Sequence, residues 1–202
     1  MTAWIKMIKD EEADENLRLF FDRVRTPHGT IDNVMRAHSL RPHTMDGHVV
    51  LYKSVLHNPD NTLPFWFLEV VASYVSILNN CDYSLRHHFT NARRLIGDDA
   101  RADAVRSALD AHRPEDAFDG KELALLVYAG KLTTKVGAMA EADVGAVRKA
   151  SADDGEILEV NQVNLELTYQ AMFGGGESEN GSQKSMKQSK VEETLQSYYL
   201  TF

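Results

Sequence analysis

Three residues near the middle of the chain have the types and spacing for sulfur and proton chemistry: Glu69, Cys81 and His88, with Tyr83, Ser84 and His87 beside them. Glu69 lies inside an otherwise apolar run, Leu63 to Leu78, where a carboxylate must be paired, hydrogen-bonded or protonated, because a lone buried charge is too costly. Cys81 follows twelve residues later, at the expected start of a helix, where backbone N–H dipoles favour an anionic sulfur. His88 stands seven residues further on, two turns along the same helix face, in position to pass a proton between a thiol and a carboxylate. Each residue also has a bland counterpart. A lone cysteine is commonly a small buried hydrophobe, a buried glutamate half of a structural ion pair, and paired histidines a surface feature.

Cys81 is the only cysteine, so no intrachain disulfide is expected, and the sulfur is structural, reactive alone, or paired with another chain. His43 and His48 are five apart and His87 and His88 adjacent, so neither pair has the i, i+4 spacing of a helical metal site. A metal shared by His88 and Glu69 is not expected, and neither is any cofactor. Gly174 to Gly176 precede a polar stretch rather than a helix and follow no strand, so they do not form a phosphate-binding loop. No Gly-x-Ser-x-Gly nucleophile elbow occurs.

The elements that must position these residues all read as helices. Leu17, Phe20, Phe21 and Val24 give one apolar face over Glu11 to Arg25, and Thr26-Pro27-His28-Gly29 breaks that helix. Ile31, Val34 and Met35 form a short second turn, and Arg41-Pro42 opens a helix running through His57. After the Asn58-Pro59-Asp60-Asn61 turn, Leu63 to about Asn80 is apolar nearly all round and should be the most buried element. Asp82 is expected to cap the next helix, which runs to Ile96 and stops at Gly97. Further helices are predicted over Ala100–Ala111, Lys121–Thr134 (capped by Asp119), Glu141–Ala150 and Glu156–Phe173. About eight helices and no sheet make an all-α bundle, with a domain over 1–176. The stretch Glu177 to Lys190 is a polar tether with almost no apolar residues, and Val191 to Phe202 regains Leu195, Tyr198, Tyr199, Leu200 and Phe202, an end suited to docking.

Composition narrows the function classes. Hydrophobic residues make up 43% and charged residues 26% of 202, as in an ordinary soluble domain. A formal net charge of −8 argues against nucleic-acid binding, whose affinity comes from Lys and Arg neutralising phosphates. The longest apolar run is interrupted by Glu69 and too short for a bilayer, so no membrane association is expected. The first ten residues have neither an apolar core nor a small-residue cleavage site, so a cytoplasmic location is expected.

The spacing Glu69, eleven residues, Cys81-Asp82-Tyr83-Ser84, then His87-His88 resembles the core motif of the alkylhydroperoxidase D / carboxymuconolactone decarboxylase family, in its peroxidase-related branch. That family carries a glutamate, eleven residues, then Cys-x-x-Cys followed by histidine. The likeness extends to Asn33–Pro42, Thr90–Gly97, Lys121–Leu126 and the Glu156–Gly174 segment, covering roughly residues 10 to 175. It implies the family's helical fold, a homo-oligomer (dimer or larger), a small hydroperoxide as substrate and an external thiol as reductant. It also implies that Cys81, Glu69, His88, Tyr83, Ser84 and His87 form the site. Ser84 stands where the family has its second, peroxide-attacking cysteine, and a hydroxyl neither replaces that nucleophile nor forms a disulfide. Three readings follow: a one-cysteine thiol peroxidase with Glu69 and His88 as proton relay; a cysteine-independent enzyme of the carboxymuconolactone decarboxylase kind; or a catalytically degenerate oligomeric binding module.

Overall fold

A computed structural model of the chain describes residues 3–26 and 28–173. The expectations placed on Pro27, on Gly174–Gly176 as the end of the domain, on the tether and on the aromatic C-terminal segment fall outside these residues. Among the described residues there are nine α-helices and no strand: α1 Glu15–Val24, α2 Asn33–Arg36, α3 His43–Leu56, α4 Phe65–Leu78, α5 Asp82–Ile96, α6 Asp99–Asp110, α7 Gly120–Thr134, α8 Glu141–Lys149 and α9 Asp154–Ala171. The all-α class read from the sequence is therefore the class observed. No helix among the described residues is long and apolar enough to cross a membrane.

The chain divides into two compact units with the boundary between Val50 and Leu51, inside α3. In the first, Asp14 caps α1 by accepting from the Leu17 N–H at 2.8 Å, which sets the phase that buries Leu17 and Phe21. Those two pack with Ala13, Ile31 and Met45 into a small apolar cluster. Arg36 closes it from one side, pairing with Asp10 at 2.6 Å and laying its guanidinium 5.2 Å from the Phe21 ring centre.

The second unit is built around α4. Ten consecutive residues of this helix, Phe67 to Ser76, are buried, as its all-round apolar sequence requires. Helices α5, α6, α7 and α9 pack against it. Phe67, Leu68, Val70, Val71 and Val75 are fully enclosed, each worth about 1.5–3 kcal/mol of transfer free energy. That burial offsets the cost of enclosing Glu69 among them.

The start of α4 is fixed from α9. The Glu159 carboxylate accepts the Thr62 N–H at 2.7 Å, the Thr62 hydroxyl at 3.0 Å and the Leu63 N–H at 2.9 Å. The end of α4 is a Schellman turn: Asn80 N–H bonds to Ile77 C=O at 3.0 Å and Cys81 N–H to Ser76 C=O at 2.9 Å. Asn80 takes the left-handed conformation this turn needs, φ 52°, one of the few residues besides glycine that tolerate it. Asp82 and Asp119 differ from expectation. Cys81, not Asp82, occupies the N-cap of α5, with Asp82 the first helical residue; Asp119 holds the N-cap position of α7 without a side-chain capping bond. Gly97 ends α5 in the left-handed region, φ 68°, as read from the sequence.

Candidate functional site

Because Cys81 follows the end of α4 and caps α5, the two helices fold back against each other and bring their facing residues together. Glu69 and His88 meet this way: His88 Nδ1 lies 2.7 Å from Glu69 Oε2, with both side chains buried. Asn91, one turn further along α5, donates its amide to Glu69 Oε1 at 3.1 Å. Glu69 thus has both oxygens occupied by donors from α5. With Nδ1–H given to the carboxylate, the imidazole keeps its lone pair on Nε2, the arrangement in which a carboxylate orients a histidine as a base.

The sulfur has a different partner. Cys81 is 1% exposed, and its Sγ lies 3.4 Å from Ser84 Oγ. Ser84 Oγ in turn donates to Gln170 Oε1 at 3.2 Å, and Gln170 Nε2 donates to Glu166 Oε1 at 3.0 Å. The direct exchange between Cys81 and His88 expected from their spacing is not present. Seven residues of helix separate them by about 10 Å along the axis, and Ser84 stands in between. Cys81, Ser84 and His88 share one face of α5, but Tyr83 and His87 do not. At about 100° per residue they fall on another side of the helix, where their rings pack together with centres 4.5 Å apart and His87 is exposed.

Five residues not picked out by the sequence reading complete the surroundings: Tyr52, His57, Asn91, Glu166 and Gln170. The Tyr52 ring lies 4.9 Å from that of His57 and 6.5 Å from that of His88, measured between centres. Burial holds the His57 imidazole below its ordinary proton affinity; the nearby Glu69 opposes this, and His88, Lys53 and Arg94 add to it. Glu166, fully enclosed, is pushed above the ordinary carboxyl range by burial, with the Gln170 hydrogen bond and His88 acting in the opposite sense. Glu166 and Gln170 did leave a trace in the sequence. With Glu159 and Val163 they form a stripe on α9 in which polar side chains fall at buried positions of the helical period. Among the described residues no group of three or more His, Cys, Asp or Glu side chains is placed to hold a metal ion.

Beside the site runs a mainly apolar groove of about 680 Å³ between α7, α8 and α9, walled by Leu132, Val136, Met139, Val144, Leu165 and Met172. Thr168 on its α9 wall accepts from Asn79 at 3.2 Å, two residues before Cys81, which ties the groove to the turn that carries the sulfur.

No protein-family model and no curated protein matches the sequence. Solved structures do match in shape. An uncharacterized peroxidase-related protein from Silicibacter sp. TM1040 superposes with a TM-score of 0.67 at 20% identity, over 84% of this chain and 86% of that one. The alkylhydroperoxidase AhpD core of an uncharacterized peroxidase-related protein from Ralstonia eutropha JMP134 gives 0.67 at 16% identity, with the same coverage of 84% and 86%. A variant of the debrominase Bmp8 with one cysteine changed to alanine, in complex with 2,3,4-tribromopyrrole, gives 0.61 at 13% identity over 98% of both chains. At these identities the likeness speaks for architecture and not for reaction: the chain has the all-helical AhpD-like fold.

Proposed function

We propose that this chain is a peroxidase-related redox protein that works with one sulfur, reducing a small hydroperoxide at Cys81. The observation that carries the reading is the 3.4 Å pairing of Cys81 Sγ with the Ser84 hydroxyl at the start of α5. In that pairing the thiol donates to the hydroxyl, and on ionisation of the sulfur the hydroxyl can rotate to donate in return, as the helix N-terminus also favours an anionic sulfur. In the first step the thiolate attacks the near oxygen of the O–O bond, an S–O bond forms as the O–O bond breaks, and the alkoxide leaves. The proton the alkoxide needs is the one the thiol gave up: the His88 imidazole, oriented by Glu69, takes it from Cys81 by way of Ser84 and returns it to the departing oxygen. Cys81 is then a sulfenic acid. Two equivalents of an external thiol return it to the thiol, giving the reductant's disulfide and water, since the chain holds no second cysteine to resolve it. With the sulfur 1% exposed, the reading requires a local opening through which both peroxide and reductant reach it.

Mass spectrometry after treatment with one equivalent of an organic hydroperoxide tests this. The wild type gains one oxygen on Cys81, trapped as a sulfenic-acid adduct, and Cys81→Ser abolishes turnover. Turnover unchanged in Cys81→Ser sinks the reading. Because the Bmp8 variant holds a tribromopyrrole, a halogenated pyrrole belongs in the same substrate panel.

A second reading has its own support. The Glu69–His88 pair is fully formed without the sulfur, so acid–base chemistry on a small carboxylate or lactone by those two residues is the alternative. Activity that survives alkylation of Cys81 selects it. If neither sulfenic acid nor turnover is found, the chain is a binding module on a retired enzyme fold. Under all three readings we take the protein to be cytoplasmic and homo-oligomeric. The oligomer's support is Leu165 and Met172, 60% and 73% exposed on α9; sedimentation as a monomer at micromolar concentration contradicts it.

A further inference from the structure

Four side chains link the sulfur to the last helix in one hydrogen-bonded line. Cys81 Sγ donates to Ser84 Oγ, Ser84 Oγ to Gln170 Oε1, and Gln170 Nε2 to Glu166 Oε1, at 3.4, 3.2 and 3.0 Å. Every member is buried, Glu166 completely. The two inner members each offer one donor and one acceptor to the line, so its direction is fixed by what stands at the ends. In the direction observed, the single Ser84 proton points away from the sulfur, and the sulfur keeps its own. The reverse direction needs a proton on Glu166. The carboxylic acid then donates to Gln170 Oε1, the amide turns over, Nε2 donates to Ser84 Oγ, and Ser84 donates to a Cys81 thiolate.

We propose that Glu166 and Gln170 are positioning residues that set the protonation state of Cys81, ionised Glu166 holding the sulfur as a thiol and protonated Glu166 admitting the thiolate. This deepens, and rests on, the single-sulfur reading above. The groups around Glu166 fit that role. Burial, the larger influence, favours its proton, while Gln170 and His88 of α5 act in the opposite sense and favour its charge. Its charge is felt on its own helix by Tyr169, which burial and Glu166 together hold above the ordinary phenol range. Glu69 of α4 and His57 at the end of α3 bear on His88. On α7 and α8, Tyr128 is engaged with Asn161 and Lys131 with Asp143.

The test is a pH titration of thiolate ultraviolet absorbance on the full chain, as the difference from Cys81→Ser, which removes the tyrosine signal. Glu166→Gln, an amide standing in for the protonated acid, is expected to lower the half-point of thiolate formation by about one pH unit, the worth of one charge-assisted hydrogen bond. In a Ser84→Ala background the same substitution is expected to shift nothing, because the line is already cut. An unchanged or raised half-point overturns the proposal. So does a shift of equal size without Ser84, which means plain charge repulsion through space. If circular dichroism shows that Glu166→Gln does not fold, Gln170→Leu replaces it, with the same direction and the same dependence on Ser84 expected. No peroxide enters the measurement. A protein inert to peroxide that shows the shift refutes the peroxidase reading and keeps this one; a working peroxidase without the shift does the reverse.

Discussion

Changing Ser84 to cysteine should convert the site from one sulfur to two. Cys81 Sγ and Ser84 Oγ are 3.4 Å apart on one face of α5, at i and i+3, and neither side chain is more than 1% exposed. A disulfide needs about 2.05 Å between sulfurs, so the pair must close by about 1.4 Å, within reach of two χ1 adjustments. Helical neighbours at i, i+3 already have Cβ atoms about 5–6 Å apart, a little beyond the usual disulfide spacing. The substitution weakens the hydrogen bond to Gln170, which costs about 1 kcal/mol in the reduced state. Closing so short a loop returns about 2 kcal/mol on oxidation. The oxidised variant should therefore unfold in urea about 2 kcal/mol later than its reduced form, be two hydrogens lighter, and resist maleimide. A mild oxidant such as ferricyanide serves, so the result does not depend on peroxide reactivity. If the oxidised protein instead runs as a disulfide-linked dimer, or keeps two free thiols, the two side chains do not face each other as described.

Glu69→Leu removes the acceptor for both His88 and Asn91, leaving a buried imidazole and a half-buried amide unmatched, and is expected to cost about 3–5 kcal/mol in urea unfolding. Adding His88→Leu should recover part of that loss; a double variant that costs the full sum of the singles refutes the pairing. Glu159→Gln turns an amide N–H toward the Thr62 and Leu63 donors and should cost about 1.5–3 kcal/mol, with hydrogen-exchange protection lost at those two amides. In the first unit, burial and then the neighbouring His38 lower the His48 imidazole from 6.5 to about 4. The unfolded chain therefore binds more protons between those values, so stability rises with pH across that window and is lost as pH falls through it. The contribution is about 3 kcal/mol, and His48→Phe should flatten the stability profile between pH 4 and 6.5.

The part of the site carried by one hairpin was legible. Glu69 and His88 were singled out by the family resemblance rather than by spacing alone, and the tight turn at Asn79–Asn80, which folds two helices back on each other, is what lets them meet. Periodicity also located α4, α5 and α9 to within a few residues, with Gly97 marking the end of α5. Tyr83 and His87 sit beside Cys81 and His88 in the sequence, but adjacent helical residues point about 100° apart, so proximity along the chain misled. Glu166 and Gln170 were missed for a stricter reason. Nothing local tells which helix packs over the start of α5, and 86 residues separate Ser84 from Gln170. Their signal was a polar stripe on a buried helix face, which a sequence reader sees as a flaw in amphipathicity rather than as a second wall of the site.

Helix α9 is the last described element, and it carries the Glu159 clamp on α4 as well as the two side chains that lead to the sulfur. During synthesis the thiol therefore leaves the ribosome well ahead of its enclosure. At about 5–20 residues per second, the 86 residues between Ser84 and Gln170 take about 4–17 s to add. For that interval Cys81 lacks the burial and the hydrogen-bonded line it has when folded, and α4 lacks the anchor at its start. The nascent chain thus passes through a stage in which its one cysteine is open to oxidants and partner thiols, and arrival of α9 ends that stage.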